Sequence, residues 1–368
     1  MRLKELSFKN NRTGLNVKNL QFERLTLLVG ASGVGKTQIL KAIQFLKNIA
    51  KGYSINGFEW NVVFVHNEKH YIWKGAFILS DEVDVDYFEL KNHEYPILRE
   101  NLSINGIEII ARTQDKLLYE GKETVKLDPN KSVIELLKEE KTINPIHMGW
   151  KQLSYMDNDF GGIRLSPFMF KEQEPIKDVR KLKEKNYLTP IEKLFLLKKN
   201  NLKEFNDITK QFINIFPTVE AVDFTTGEFF DKKPFPILQI KEKDVEKWIL
   251  QDDISAGMRR TLSQITELVL AEDGDAFLID EFENGLGVNC INELADMIIN
   301  PDNDIQFVIT SHHPYIINNI PFNRWKIVTR EKSNIEIHTA KDLNIGDHSH
   351  HDAFMQLLKK IFSNWFLI

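Results

Sequence analysis

A run of small residues followed by lysine and threonine lies near the start of the chain. Residues 30–37 read GASGVGKT and fit the pattern G-x-x-x-x-G-K-[ST] at every fixed position. Glycines permit positive φ angles and close approach of the backbone, so that successive N–H groups can point at phosphate oxygens. We therefore predict a phosphate-binding loop (P-loop) whose cradle is formed by Gly30, Ser32, Gly33 and Gly35.

The residues that end this loop suit a nucleoside triphosphate and its metal ion. The Lys36 amine would reach the β- and γ-phosphates, and the Thr37 hydroxyl would bind Mg²⁺. The helix that begins near Lys36 adds its positive N-terminal end, and Gln38 lies in its first turn. Because an apolar strand precedes the loop and a helical pattern follows it, ATP with Mg²⁺ is favoured over a chance glycine-rich turn.

Two carboxylates end a short apolar run later in the chain, where residues 276–281 read AFLIDE. Asp280 at the end of a buried strand can hold Mg²⁺ through water. Glu281 can orient or deprotonate an attacking water molecule. Paired acids after an apolar strand are common in isolation, and it is the P-loop upstream that favours the catalytic interpretation.

A Ser-x-Gly turn precedes the helix that leads into this acidic strand, where residues 254–260 read ISAGMRR. The Ser255 hydroxyl and the N–H groups near Gly257 lie at a helix N-terminus, which forms a second phosphate-binding surface. The chain thus has one P-loop but two helix N-termini that can bind phosphate. This suggests two copies of the chain that meet face to face. A simple capped helix start is the alternative for this stretch taken alone.

A further apolar strand, FVIT, is followed by the polar residues SHHP at 311–314. A histidine at this point can hydrogen-bond a γ-phosphate and sense its loss, although a strand-end histidine is more often structural. The residues alone leave the choice between His312 and His313 open.

The elements that must position these residues follow from hydrophobic periodicity. The apolar run LTLLV at 25–29 predicts a buried central strand, and residues 37–49 have helical spacing. Residues 58–128 are rich in β-branched and aromatic residues, which predicts an antiparallel sheet layered on the nucleotide-binding core. Residues 175–216 indicate amphipathic helices, with Pro190 at a helix start. We predict an α/β fold with a mixed central sheet, an antiparallel β layer and a helical lobe.

Composition and charge bound the class of protein. A hydrophobic content of 42% and a charged content of 27% are typical of a globular chain, and one cysteine excludes an internal disulfide framework. The sequence has no signal-like or membrane-spanning run, so we expect a cytoplasmic protein that does not contact a membrane.

Residues 171–210 hold eleven Lys and Arg against seven Asp and Glu. A solvated helical face explains this excess best, and contact with DNA stays an alternative.

The order of these motifs resembles a known family. The P-loop, SAGMRR, FLIDEFENGLG and VITSHHP occur in the order and spacing of the ABC-type ATPase heads of the SMC-like superfamily. This superfamily includes RecF, OLD and the AAA-like ATPases of bacterial phage-defence systems such as Septu and PARIS. DEFENGLG and TSHHPYIIN are similar to the forms DEPENxLHP and TTHSPxLL of the defence-associated branch.

The resemblance implies roles for individual residues. It makes His312 the switch histidine and residues 283–287 the loop that touches a partner subunit. It also implies a glutamine that binds the metal, for which Gln152 is the candidate, and Arg12 lies where related heads contact phosphate or bases. The signature SAGM departs from transporter ATPases, which have a second glycine and a glutamine.

The resemblance further implies a P-loop NTPase with an ABC-type head that hydrolyses ATP between two copies of the chain. We expect an N-terminal ATPase lobe at 1–160, a helical lobe at 161–250, a C-terminal ATPase part at 251–340 and a helical tail at 341–368. The expected role is a nucleotide-dependent sensor or scaffold in phage defence, with a separately encoded nuclease or toxin as effector. The alternatives are a RecF-type repair ATPase, a non-hydrolysing assembly module and a transporter ATPase.

The histidines of GDHSHHDAF (His348, His350 and His351) match no metal-ligand spacing, and a polar loop is the favoured interpretation.

Overall fold

A computed structural model describes residues 1–81, 94–156, 188–228 and 234–345, together with Ile176, Asp178, Val179, Leu182, Asp352, Met355 and Gln356. The histidine-rich stretch 348–351 and most of the predicted C-terminal tail lie outside the described residues. Among the described helices, none is long and apolar enough to cross a membrane.

The strands of the described chain are β1 Arg2–Asn10, β2 Asn16–Gln21, β3 Leu25–Val29, β4 Phe58–His66, β5 Lys69–Phe77, β6 Ile97–Ile104, β7 Ile107–Thr113, β8 Leu117–Tyr119, β9 Lys122–Glu123, β10 Leu153–Met156, β11 Val219–Glu228, β12 Pro234–Glu242, β13 Ile249–Leu250, β14 Ala276–Ile279, β15 Gln306–Thr310, β16 Trp325–Glu331 and β17 Asn334–His338. Its helices are α1 Lys36–Ile49, α2 Val133–Leu136, α3 Asn144–Lys151, α4 Pro190–Lys199, α5 Lys203–Ile215, α6 Ala256–Val269, α7 Val288–Ile299 and α8 Pro314–Asn319.

The chain divides into two compact units, and each is built from separate stretches of sequence. The first contains Met1–Tyr155, Gly274–Phe282 and Asp304–Ile368, and the second contains Met156–Asp273 and Glu283–Asn303. The short stretch that carries Asp280 and Glu281 therefore belongs to the first unit. Helix α6, which follows Ser255, belongs to the second unit, together with the loop after Phe282.

One large mixed sheet organises the first unit. Among the described residues, fourteen strands follow the order β10-β14-β15-β3-β16-β17-β2-β1-β4-β5-β6-β7-β8-β9. Strands β14, β15, β3 and β16 pair in parallel, whereas β1 pairs antiparallel with both β2 and β4. The predicted antiparallel strands thus continue the central sheet through β1 and do not form a separate one.

The burial pattern of the strands explains these two kinds of pairing. All residues of β3, β14 and β15 are buried, which is expected for parallel strands that are covered on both faces. In β4 fully buried and partly exposed residues alternate along all nine positions, as in a strand with one face toward the core. The predicted α/β fold with a mixed central sheet and antiparallel strands is confirmed.

The core of the first unit joins the apolar face of α1 to large aromatic side chains of the antiparallel strands. Phe58 of β4 meets Phe45 of α1 edge to face, and Trp73 of β5 meets Trp150 of α3 in the same way. Ile39 and Ile43 of α1 have no exposed surface. Helix α1 is therefore fixed along its length, and its first residue, Lys36, is held close to the end of β3.

Four helices and a three-stranded antiparallel sheet, ordered β11-β12-β13, are described in the second unit. Pro190 begins α4, as predicted, and Thr189 and Glu192 form a reciprocal capping box there. The largely buried Lys193 of α4 bonds Glu267 of α6 over 2.6 Å. The helix that follows the Ser255 turn is therefore anchored to the helical part of the chain.

Candidate functional site

The P-loop connects β3 to α1 with the glycine-rich conformation that its sequence predicts. Gly30, Gly33 and Gly35 have φ angles of 155°, 81° and 107°. A Cβ at Gly30 would lie 2.3 Å from the Val328 carbonyl oxygen, and one at Gly35 would lie 2.5 Å from Cδ1 of Ile335. Both glycines are thus required by their backbone angle and by the close approach of the hairpin formed by β16 and β17.

Lys36 lies across the carbonyl groups of its own loop. Its Nζ donates to the Gly30 oxygen over 2.9 Å and to the Ala31 oxygen over 2.8 Å, and the side chain is buried. The ammonium group is therefore already held at the cradle. Ser32 and Gly33 are exposed at the tip of the loop, and Thr37 and Gln38 are half-buried in the first turn of α1.

A second basic residue, which the sequence did not reveal, contacts the P-loop. Arg330 of β16 donates from Nη1 to the Gly33 carbonyl oxygen over 3.4 Å. The sequence around it, WKIVTRE, reads as an ordinary strand end. Only the parallel pairing of β16 with β3 places it there.

Asp280 and Glu281 follow β14 at the same edge of the sheet as the P-loop. Strand β15 lies between β14 and β3, and all three are parallel. With neighbouring strands about 4.8 Å apart, the end of β14 lies about 10 Å from the end of β3. The structure thus brings the P-loop and both predicted acids to one carboxyl edge. Glu281 is exposed there, and its φ of 44° is left-handed.

The two histidines after β15 differ in exposure, and the contacts of His313 are those of a helix cap. His313 is the N-cap of α8, since its Nδ1 accepts from the Tyr315 N–H over 3.3 Å. Its own N–H donates to Ser311 Oγ over 3.0 Å. His312 is exposed at the strand end, beside the edge that carries the two acids. His313 thus has a structural role as the cap of α8, and His312 stays the predicted phosphate-binding histidine.

The Ser255 turn lies in the second unit and forms the start of α6. Ser255 Oγ accepts from the Met258 N–H over 3.2 Å, and the residue is exposed. A Cβ at Gly257 would lie 3.0 Å from the Gly285 carbonyl oxygen. The turn is therefore a capped helix start that also has the loop at 283–287 packed against it.

Gln152 does not join the predicted metal ligands, which corrects the expectation for this residue. Its carbonyl oxygen accepts from the N–H of Ala276, the first residue of β14, and its Oε1 accepts from the Met1 amine over 3.0 Å. Asp280 follows the other end of β14, about 13 Å away at about 3.3 Å per residue. The cause is the position of β10, which pairs beside β14 and brings Gln152 to its amino end.

Arg12 is exposed in the turn between β1 and β2. In that turn a Cβ at Gly14 would lie 3.3 Å from Ser333 Oγ, and the nearby Asn16 N–H donates to the Ser333 oxygen over 3.1 Å. Ser333 lies in the hairpin of β16 and β17 that also contacts Gly30 and Gly35 of the P-loop. The turn that carries Arg12 and the P-loop thus contact the same hairpin.

The oxygen atoms at the carboxyl edge fit Mg²⁺ bound together with a nucleotide. The described residues contain no group of three or more His, Cys, Asp or Glu side chains that would hold a metal ion by itself. Mg²⁺ prefers oxygen ligands and commonly takes one or two from protein and the rest from phosphate and water. The Thr37 hydroxyl and the Asp280 carboxylate match that donor set.

Three comparisons place the chain among known proteins. Residues 121–318 match the family model described as AAA domain, putative AbiEii toxin, Type IV TA system. This range includes the Ser255 turn, both acids and His312, and the P-loop lies upstream of it. The chain is also 26% identical over 189 residues to the chromosome partition protein Smc of Methanocaldococcus jannaschii. That match covers 50% of this chain and only 15% of the length of the relative.

The fold is also seen in a solved structure. The crystal structure of an SMC head bound to the C-winged helix domain of ScpA aligns with a TM-score of 0.54 and 12% identity, over 92% of this chain and 97% of that chain. The SMC head domain from Thermotoga maritima aligns with a TM-score of 0.45 and 12% identity, over 92% of this chain and 99% of that chain. The family model covers more than half of the chain, so the chain belongs to this family of AAA-type ATPase domains and has an SMC head-like fold.

Proposed function

We propose that the chain binds ATP with Mg²⁺ and hydrolyses it. The observation that carries this proposal is the meeting of the P-loop, Asp280, Glu281 and His312 at one carboxyl edge of three adjacent parallel strands. Membership of an AAA-type ATPase family supports it.

Each residue has a chemical task in the proposed reaction. Lys36 exchanges its two carbonyl partners for the β- and γ-phosphates, and Thr37 and Asp280 hold Mg²⁺, which neutralises charge on the phosphates when it is bound. Glu281 accepts a proton from the attacking water, whose oxygen bonds to the γ-phosphorus. The bond from the γ-phosphorus to the bridging oxygen breaks, so that ADP and phosphate leave. His312 hydrogen-bonds the γ-phosphate.

We further propose that the working form contains two copies of the chain, each supplying a Ser255 turn to the ATP held by the other. An exposed hydroxyl at the start of a long helix is suited to a phosphate group. A solved SMC head with this fold is bound to the winged-helix domain of ScpA. By analogy, we propose that this chain also acts with a separately encoded protein.

The biological role that we favour is a nucleotide-dependent sensor or scaffold in anti-phage defence, with a nuclease or toxin as effector. The matched family is described with a toxin and a Type IV toxin–antitoxin system, which fits a role of this kind. The similarity to a chromosome partition protein keeps a RecF-type role in DNA repair, with DNA contact, as the second candidate. A non-hydrolysing module that uses ATP only for assembly is the third.

Phosphate release by three variants tests the enzymatic proposal. Lys36→Ala should abolish hydrolysis and ATP binding, and Glu281→Gln should abolish hydrolysis but keep ATP bound. Lys41→Ala, on the same helix and half-buried, is the matched control and should behave as the wild type. Equal phosphate release from wild type and Lys36→Ala would remove the ATPase assignment.

Light scattering of Glu281→Gln tests the proposed pairing. Because this variant should retain ATP, it is expected to form a dimer or larger assembly with ATP and to be monomeric without it. A monomer under both conditions contradicts the proposed composite site but leaves ATP binding by one chain intact.

A further inference from the structure

One buried threonine connects the two acids of the proposed site. Thr310 ends β15 and has no exposed surface. Its Oγ1 donates to Asp280 Oδ1 over 2.6 Å and accepts from the Glu281 N–H over 2.7 Å. Its carbonyl oxygen accepts from the Phe282 N–H over 3.0 Å. A single residue thus holds three consecutive residues at the end of β14.

The direction of the two hydroxyl bonds follows from the groups involved. A hydroxyl has one proton to donate and lone pairs with which it accepts. The Glu281 N–H can only donate, so the Thr310 oxygen accepts there and its proton goes to the Asp280 carboxylate. A bond to an ionised carboxylate is shorter and stronger than one between neutral groups. The same oxygen atom therefore fixes the Asp280 side chain and the Glu281 backbone.

The backbone at Glu281 needs this support. Its φ of 44° is left-handed, and that conformation costs a residue other than glycine about 1–2 kcal/mol. Such a conformation persists where the surroundings over-determine it. The three bonds from Thr310 and the burial of Phe282 provide that constraint. They turn the chain sharply, so that Phe282 enters the core and Glu281 stays exposed at the carboxyl edge.

We propose that Thr310 is a positioning residue for ATP hydrolysis, acting through Asp280 and Glu281. Its hydroxyl aligns the residue that holds Mg²⁺ with the residue that activates water. It also lies two residues before His312, so one strand end sets the places of all three groups. This inference rests on the proposed function. It adds to that function a residue that positions the reacting groups but supplies no reacting atom of its own.

Isosteric substitution separates positioning from packing. Thr310→Val keeps the volume and removes the hydroxyl, and Thr310→Ser keeps the hydroxyl. Thr26→Val is the matched control, because Thr26 is also fully buried in the same sheet and its Oγ1 accepts from the Glu23 N–H over 2.9 Å. The measurements are kcat and KM for phosphate release, the Kd of a fluorescent ATP analogue with Mg²⁺ and with EDTA, and the thermal unfolding midpoint.

We expect Thr310→Val to lower kcat by about 10- to 100-fold, the effect of losing a hydrogen bond to a charged group. KM should rise only as far as the Mg²⁺-dependent part of the affinity falls, since Thr310 acts on the metal through Asp280 and on the attacking water through Glu281. The gain in analogue affinity that Mg²⁺ provides should shrink in this variant. Thr310→Ser should keep kcat within about threefold of the wild type. Thr26→Val should keep the wild-type kcat and Mg²⁺ response, although its unfolding midpoint falls.

Wild-type kcat and Mg²⁺ response in Thr310→Val would overturn the inference, as would an equal loss of kcat in Thr26→Val. If Thr310→Val does not fold, Thr310→Ala removes the same hydroxyl without adding volume. If the wild type binds the analogue but releases no phosphate, the proposed hydrolysis fails by itself. The gain in analogue affinity that Mg²⁺ provides can then be compared between the wild type and Thr310→Val. That comparison still decides whether Thr310 positions Asp280.

Discussion

Helices α1 and α6 both start at a turn of small residues, but their first N–H groups are treated differently. At α6, Ser255 supplies a side-chain oxygen that accepts from the Met258 N–H. At α1 the N-cap is Gly35, in a left-handed conformation, and no side-chain oxygen of the described chain caps the helix. Free N–H groups at a helix start are a site for an anion. The α1 start thus has no side-chain cap, whereas at α6 Ser255 caps the helix and, in the proposed pair, its exposed hydroxyl also faces the ATP of the other copy.

The strongest test of this difference is Gly35→Ala. The new methyl group would meet Ile335 in a backbone conformation that alanine disfavours, so we expect a loss of about 2–4 kcal/mol in the free energy of unfolding together with loss of ATP binding. Urea unfolding and binding of a fluorescent ATP analogue measure the two effects.

A double-mutant cycle with Ile335→Ala divides the cost of Gly35→Ala between the clash and the backbone angle. The substitution should cost about 1–2 kcal/mol less in the Ile335→Ala background, because only the backbone strain then remains. The same cost in both backgrounds would show that Ile335 does not set the need for glycine.

The second test concerns the α6 start. Ser255→Ala should lower the free energy of unfolding by about 1 kcal/mol through loss of the cap. Ser255→Asp should keep that stability, because aspartate caps as well as serine. In the Glu281→Gln background, Ser255→Asp should nevertheless abolish ATP-dependent assembly, because its charge repels the γ-phosphate held by the other copy. Normal assembly of this variant in light scattering would reduce the Ser255 turn to a helix cap.

The smallest changes in stability are expected at the start of α8, which is also capped by a side chain. His313→Ala should cost about 0.5–1.5 kcal/mol of stability, the usual contribution of one hydrogen bond, and leave hydrolysis near the wild-type rate. His312→Ala should lower kcat by about tenfold or more with a stability change within about 0.5 kcal/mol. Unfolding curves and phosphate release on both variants check the pair, and the opposite pattern would exchange their roles.

The features that the sequence predicted correctly depend on short stretches. Three features follow from neighbouring residues: the positive φ angles of the P-loop glycines, the buried strands at 25–29 and 276–279, and the helix start at Pro190. Their backbone angles and burial are decided within a few positions of the residue concerned.

The features that escaped sequence reasoning depend on which strands become neighbours. The order of the chain predicts Gln152 at the metal, but the pairing of β10 with β14 brings it to the amino end of β14, away from Asp280. The contact of Arg330 with the P-loop and the bonds of Thr310 arise in the same way. Thr310 reaches Asp280 only because Ile279 pairs with Ile309 in register. A single sequence does not contain that register.

Strand β3 also determines when the site can exist during synthesis of the chain. Its two neighbours are β15 and β16, so the strand before the P-loop receives both partners from residues 306–331. Leu25 pairs with Phe307. About 300 further residues, from Val29 to Glu331, must therefore be translated, which takes roughly 15–60 s at about 5–20 residues per second. The P-loop of a nascent chain lacks its flanking strands until β16 has left the ribosome. The proposed nucleotide site can therefore form only after residues 306–331 have been synthesised.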